Sequence, residues 1–270
     1  MSDFARNAVA CLSGGMDSTS LLLRLLADGL AVHGISFLYG QKHAIELDFL
    51  QRNLDYLQQR GHPINHQVVD LTSLGPLLDS ALIDGERDVP LGHYEQDNMR
   101  ETVVPNRNAI FASIAYAVAW SIAQGHAQPV RLCLGVHSGD HAIYPDCRPV
   151  FYQALWTAFE RGNWDADKVE LYLPYLDCDK AGILRDALRT TEGLGIDFDH
   201  VFANTLTSYL PDSTGRAHGL TGSDVERVLA FDAIGRVDPI EYTDGWVTTL
   251  GKAKALLREH QSGSKGPFLR

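Results

Sequence analysis

Short apolar runs alternate along this chain with longer stretches of helical spacing. Residues 8–12 are wholly apolar, which predicts a strand buried on both faces. Residues 19–27 carry leucines at helical spacing and predict a helix that ends near Gly29. The pattern repeats as a strand at 31–38, a helix at 44–60 closed by Gly61, and a strand at 67–71. Residues 108–124 are apolar around most of a helix, as expected of a helix covered on several sides. A strand at 130–136, a helix at 149–161, a strand at 169–174 and a helix at 180–190 follow. Such alternation predicts an α/β fold, a Rossmann-like parallel sheet with helices on both faces. Ligands then sit at the carboxyl ends of the strands, so the turns at 13–18, 39–43 and 137–140 share one edge. Two segments break the pattern. Residues 79–100 are polar and turn-rich, and read as a long loop or lid. Residues 205–227 are rich in Gly, Ser, Thr and Asp, and lead through 228–242 to a short helix at 250–260 and a frayed tail. The expected division is an α/β domain over 1–204 and a C-terminal segment over 205–270.

The turn after the first strand carries the sharpest chemistry. Ser13-Gly14-Gly15-Met16-Asp17-Ser18 joins a buried strand to a helix. Glycines bring backbone N–H groups close to a ligand, and the helix directs its free N–H groups and positive dipole end at the same place. A phosphate fits there, with Ser13 and Ser18 as hydroxyl donors. Asp17 repels phosphates unless a cation sits between, which points to Mg²⁺. The competing reading is a serine-capped helix after a glycine turn. The loop is neither G-x-x-x-x-G-K-[ST] nor G-x-G-x-x-G. It resembles the S-G-G-x-D-S loop of the ATP pyrophosphatases, which implies a grip on the pyrophosphate end of ATP while a substrate oxygen attacks the α-phosphate.

Composition narrows the partners. The net charge of −11 over 270 residues argues against a broad nucleic-acid surface. No apolar run reaches the length of a membrane span, and Met1 opens no signal-like segment, so the expectation is a cytoplasmic protein without membrane or nucleic-acid partners. Cys11, Cys133, Cys147 and Cys178 are scattered with no C-x-x-C, which suggests neither a disulfide framework nor a thiolate metal site.

Three further clusters follow strands or open helices. In Tyr39-Gly40-Gln41-Lys42-His43, Lys42 can neutralise phosphate, and His43 can touch Glu46 one helical turn on. Arg107 at a helix start is unfavourable for the dipole and calls for an anionic partner, while Asn108 can cap. Residues 135–149 gather His137, Asp140, Tyr144, Asp146 and Arg148. Tyr144 can stack on a heterocycle, Asp140 or Asp146 can accept from a guanine-like N–H edge, and Arg148 can pair with a carboxylate. Lys180 opens a helix and adds a positive charge.

Taken in order, the motifs at 13–18, 39–43, 104–108, 135–137, 144–149 and Lys180 resemble those of the 7-cyano-7-deazaguanine synthase family over most of the chain. The resemblance implies an adenine nucleotide alpha hydrolase-like fold, a homodimer, and ATP-driven activation of 7-carboxy-7-deazaguanine. The carboxylate is adenylated, ammonia displaces AMP, and a second ATP converts the amide to a nitrile. It implies catalytic roles for Asp17, Ser18, Lys42, Arg107 and Lys180. ATP would be held by Leu12, Ser13, Gly14, Gly15, Met16, Asp17, Ser18, Thr19, Tyr39, Gln41 and Arg107, with Mg²⁺ passing through Asp17. The deazaguanine carboxylate would meet His43, Asn106, Asn108, His137, Asp140, Tyr144, Asp146 and Arg148.

One departure stands out. The family's four zinc-binding cysteines fall here on Ser208, His218, Thr221 and Asp224, a poor tetrahedral donor set, so no structural zinc is expected. The chain therefore resembles a divergent paralogue. Some divergent relatives sit in antiviral gene sets and attach the deazaguanine to a protein N-terminal amine, so ammonia and a protein amine both stand as acceptors. A tRNA-modifying enzyme is disfavoured by the acidic charge. A catalytically silent nucleotide-binding subunit is disfavoured by the retained Ser13, Asp17 and Ser18.

Overall fold

The computed structural model describes residues 6–83, 85–92, 97–125, 128–142 and 144–263. In chain order the elements are β1 (Asn7–Cys11), α1 (Met16–Ala27), β2 (Ala31–Leu38), α2 (Glu46–Gln59), β3 (Asn65–Asp70), α3 (Arg107–Gln124), β4 (Val130–Cys133), α4 (Pro149–Gly162), β5 (Val169–Tyr172), α5 (Lys180–Leu194), α6 (Phe198–Ala203), α7 (Gly222–Ala233) and α8 (Trp246–Gly263). The sheet runs β3-β2-β1-β4-β5, and every neighbouring pair is parallel. β1 lies at the centre, with Val9 opposite His33 on one side and Leu132 on the other. That position explains a strand without polar alternation.

The two faces of β1 feed two cores. Ala8, Ala10 and Leu12 join the leucines of α1, Leu50, Leu54 and Leu57 of α2, and Ile183 and Leu184 of α5. Val9 faces Ala115 and Ala119 of α3 and the partly buried Trp156 and Phe159 of α4. Strand order thus reverses between β1 and β4, with crossovers on opposite faces. A crevice opens at the carboxyl ends of those two strands.

The fold class is the one expected, with local differences. β4 and β5 stop at Cys133 and Tyr172, short of the predicted 136 and 174, and β3 begins earlier, at Asn65. One more bond, Leu134 N–H to Tyr172 O at 3.3 Å, extends the β4–β5 ladder before the chain turns into the crevice. The segment expected as a lid is tied down where it is described. Ala81, Leu82 and Val89 are buried. Lys42 N–H donates to Leu82 O at 3.0 Å and Gly92 N–H to Leu220 O at 3.0 Å. Among the described residues no helix is long and apolar enough to cross a membrane.

The C-terminal segment is organised by Arg227, which is fully buried. Its Nε and Nη2 bind Asp238 at 2.7 and 2.9 Å, and its Nη1 donates to Thr205 and Thr207 at 2.8 and 3.1 Å. Nη2 also reaches Phe202 O at 3.2 Å. Tyr242 completes the acid by donating to Asp238 Oδ2 at 2.7 Å.

Nearby, Ser208 Oγ donates to Asp224 Oδ2 at 3.1 Å, and Thr221 N–H to the same oxygen at 3.2 Å. Asp224 N–H returns to Thr221 Oγ1 at 3.3 Å, a reciprocal capping box that starts α7. His218 Nδ1 meets Thr243 Oγ1 at 3.3 Å instead. Hydroxyls and one carboxylate engaged with one another do not fit a zinc ion, which favours thiolates and imidazoles in a tetrahedron.

Two outcomes follow. Arg227→Met leaves Asp238 buried without its cation and is expected to lower unfolding free energy by about 3–5 kcal/mol in urea titrations. Dialysis against a chelator is expected to leave the calorimetric melting temperature unchanged. A fall that zinc reverses would contradict the hydrogen-bonded closure of this segment.

Candidate functional site

β1 ends where Leu12 N–H bonds Ile35 O at 2.8 Å, and the chain then turns through Ser13–Gly15 into α1. Gly14 has φ +88°, and a Cβ there would lie 2.2 Å from Glu46 O, so both its conformation and its surroundings demand glycine. Gly14 O accepts from Leu206 N–H at 3.0 Å, which anchors the loop from the C-terminal side. Ser13 N–H bonds Ser18 Oγ at 3.2 Å, and Gly15 N–H bonds Ser13 Oγ at 3.2 Å. The N-cap of α1 is Gly15, with no side-chain cap. The helix start is therefore left for a ligand anion, and the serine-capped alternative does not apply.

Above this loop lies a cleft of about 240 Å³ between the ends of β1, β2 and β4. Its phosphate-loop end gathers charge. Asp17 Oδ2 lies 3.5 Å from Lys180 Nζ and 3.6 Å from His137 Nε2. Gly139 N–H donates to His137 Nδ1 at 3.1 Å, which puts the proton of the neutral ring on Nε2, towards Asp17. Lys180 opens α5 after Asp179, whose side chain caps the helix by accepting from Gly182 N–H at 2.6 Å. Glu226 reaches in from α7, with Oε2 3.0 Å from Lys180 Nζ.

The opposite end is aromatic. Phe37 and Phe111 stack at 4.0 Å between centroids, and both line the cleft with Tyr39 and Tyr209. His43 Nε2 and Glu46 Oε1 approach to 3.7 Å, the contact expected from their spacing. Burial pushes the Glu46 carboxyl up to about 8. Burial, followed by the nearby Arg107 charge, lowers His43 to about 4. At neutral pH the pair is therefore largely uncharged rather than ionic. Burial opposes the charge on Arg107, but Tyr39, Tyr209 and Tyr144 outweigh it and hold the guanidinium pKa well above its usual value.

Of the positions assigned to ATP, Leu12, Ser13, Gly15, Met16, Asp17, Ser18, Tyr39 and Arg107 line the cleft, while Gly14, Thr19 and Gln41 do not. Gln41 is buried behind it and braces the turn, accepting from Tyr39 N–H at 2.9 Å and donating to Phe37 O at 3.1 Å. Lys42 points elsewhere, because its Nζ donates to Arg87 O.

Of the substrate positions, His43, Asn108 and His137 reach the cleft. Tyr144 is buried outside it, its hydroxyl on Thr102 Oγ1 at 2.7 Å and its ring 5.9 Å from the Arg107 guanidinium. Asp146 Oδ2 accepts from Asn108 N–H at 3.2 Å, so Asp146 serves α3 in the capping role expected of Asn108. Asn106 is the N-cap residue in left-handed backbone, φ +58°, without a side-chain cap bond. Arg148 is exposed and donates to His141 O at 2.7 Å. The Asp140 side chain lies outside the described residues. The sequence reading did not place Phe111 and Tyr209 in the cleft or Glu226 on Lys180, since only tertiary packing brings these side chains there.

Comparison with known proteins followed the geometry. The family model of "Queuosine biosynthesis protein QueC" matches residues 7–235. The 7-cyano-7-deazaguanine synthase of Methanoregula boonei is 43% identical over 235 residues, 87% of this chain and 98% of that protein. The 7-cyano-7-deazaguanine synthase of Marinomonas sp. is 39% identical over 238 residues, 88% and 99% of the two chains. A solved 4-thiouridine synthetase–RNA complex with bound ATP superposes with a TM-score of 0.43 at 18% identity, over 94% of this chain and 52% of that one, a likeness too distant to bear on mechanism.

The neutral pair has a pH signature. Glu46 rises in the fold from 4.5 to about 8, so its stabilisation is complete at low pH and is lost as pH rises through that window. His43 falls from 6.5 to about 4 and works in the opposite sense, at lower pH. Between about pH 6.5 and 8 only Glu46 of the two acts, with a slope of at most about 1.4 kcal/mol per pH unit. Glu46→Gln, neutral at every pH and similar in shape, is expected to remove that decline in urea titrations. An unchanged slope in the variant would show that Glu46 is not the titrating group.

Proposed function

The chain belongs to the QueC family of queuosine biosynthesis proteins, and from that premise we propose that it joins a 7-deazaguanine carboxylate to an amine at the expense of ATP. The observation that carries this reading is the cleft itself. One end is an uncapped helix start under a glycine loop, with Asp17, His137 and Lys180 within 3.6 Å contacts of one another through Asp17. The other end offers stacked aromatic rings and the half-buried Arg107.

A carboxylate is a poor acyl donor because oxide is a poor leaving group, and an acyl-adenylate removes that obstacle. In the first step a substrate carboxylate oxygen bonds the α-phosphorus, the bond to the β-phosphate oxygen breaks, and pyrophosphate leaves. In the second the amine bonds the acyl carbon and AMP leaves with the former carboxylate oxygen. Neither step needs a covalent bond to the protein, so the contribution of the chain is placement and charge. Backbone N–H groups at the start of α1 and the hydroxyls of Ser13 and Ser18 hold the polyphosphate. Lys180 meets the charge that develops as pyrophosphate departs. Phe37, Phe111 and Tyr39 form flat walls for the ring systems. Asp17 Oδ1 is buried without a hydrogen-bond partner among the described residues, which suits an Mg²⁺ ion held jointly with phosphate oxygens. Such an ion supplies charge neutralisation.

Ammonia is the leading acceptor, with conversion to the nitrile as a further ATP-dependent step. The amine of a protein N-terminus satisfies the same chemistry. A homodimer is proposed on the family premise.

Asp17→Asn removes the metal-facing charge at constant size. It is expected to lower carboxylate-dependent AMP release by about 10²-fold or more, with an unchanged circular dichroism spectrum. AMP release at the parent rate would remove Asp17 from this role. ADP as product, or ATP hydrolysis that ignores the carboxylate, would overturn the ligase reading.

A further inference from the structure

Glu226 is an unexpected acid beside a cleft built for anions: it stands behind the lining and pairs with Lys180, which lines it. It comes from α7, and its Oε2 lies 3.0 Å from Lys180 Nζ, while Asp17 Oδ2 lies 3.5 Å from the same nitrogen. Two carboxylates therefore share one ammonium. The backbone makes room for the extra acid, since a Cβ at Gly139 would fall 2.1 Å from Glu226 Oε1. Glu226 Oε2 is shielded from solvent and takes part in no hydrogen bond among the described residues; it meets Lys180 only as an ion pair. Asp17 accounts for a metal at the phosphates. A second carboxylate at this end calls for a second cation that comes and goes.

We propose that Glu226 receives the acceptor amine in its ammonium form and takes the proton whose loss makes the nitrogen nucleophilic. The inference rests on the carboxylate-activating reading above. An ammonium has no lone pair to donate, and an α-amino group is protonated below roughly pH 7.7–8.0. Polyphosphate in the loop draws Lys180 towards itself and leaves Glu226 to the incoming cation. The ammonium passes one proton to Glu226. The freed lone pair forms the C–N bond, the C–O bond to the phosphate breaks, and its electron pair leaves with AMP. The second nitrogen proton goes to solvent. Among the described side chains, the charged and titratable groups around Glu226 are Lys180 from α5, Asp17 from α1 beyond it and His137 from the turn after β4.

The test compares Glu226→Gln with the parent by two readouts. One is ATP–pyrophosphate exchange with 7-carboxy-7-deazaguanine, which reports activation alone. The other is amide formation with ammonium chloride or with a short peptide bearing a free amino terminus, its N-acetylated form serving as control. At about pH 7 amide formation is expected to fall at least about tenfold further than exchange. The gap should close as pH rises towards the amine pKa, where free amine no longer needs a base. Equal losses in both readouts would reduce Glu226 to a positioning group for Lys180 and overturn the inference. A gap that ignores pH, or equal product from the acetylated peptide, would do the same. Exchange missing from the parent protein would remove the activating reading and the inference with it. Should Glu226→Gln fail to fold, Glu226→Asp carries the same comparison with the charge kept and the reach shortened.

Discussion

The mouth of the cleft depends on one buried guanidinium. Arg227 binds Asp238 with two nitrogens and, on its other side, holds Thr205, Thr207 and Phe202 O. Leu206 lies between those threonines, and its N–H holds Gly14 O. The residue before Arg227 is Glu226, which meets Lys180. A fork of N–H donors just behind the cleft lining therefore fixes both the back of the glycine loop and the acid that meets Lys180. Such a charge is tolerated without solvent because Asp238 neutralises it and its donors are matched by well-placed acceptors.

The cleft separates two electrostatic regimes. At the loop end, charges of both signs lie within 4 Å of one another, with Asp17 and Glu226 partly open to solvent and Lys180 buried between them. At the aromatic end, burial overrides charge, and His43 and Glu46 face each other largely uncharged. Flat, uncharged surfaces suit ring systems, and the charged end suits a polyphosphate. Under the proposed function, a substrate that carries a ring and a carboxylate would have its reactive group pointed at the phosphates by where it is comfortable, with little need for contacts on the reacting atoms.

Legibility in the sequence followed the same divide. The central strand, the loop and its helix were readable because β1 is apolar on both faces and Gly14 answers to a local backbone need. Arg107 and Lys180 were readable as charges at helix starts, His137 as part of the polar cluster after β4, and all three line the cleft. Lys42, Tyr144 and Arg148 belong to equally polar stretches, yet each finds a partner outside the cleft, and Asp146 stays outside it to cap the start of α3. Composition cannot tell which way a loop side chain turns. The T-x-x-D signal of Thr221 and Asp224 was present as a helix start, but it was read through the metal positions of the family resemblance and so missed as a cap. Glu226 carried no local signal, since its place follows from the packing of α7 on α5.

The anchoring of Gly14 by Leu206 also sets a schedule. A chain made at about 5–20 residues per second exposes the phosphate loop on the order of tens of seconds before Arg227 emerges. Throughout that interval the central strands and α1 can assemble, but the loop lacks its rear support and Lys180 lacks its neighbour from α7. The growing polypeptide thus completes the charged end of its cleft only once α7 has been made, long after the loop itself.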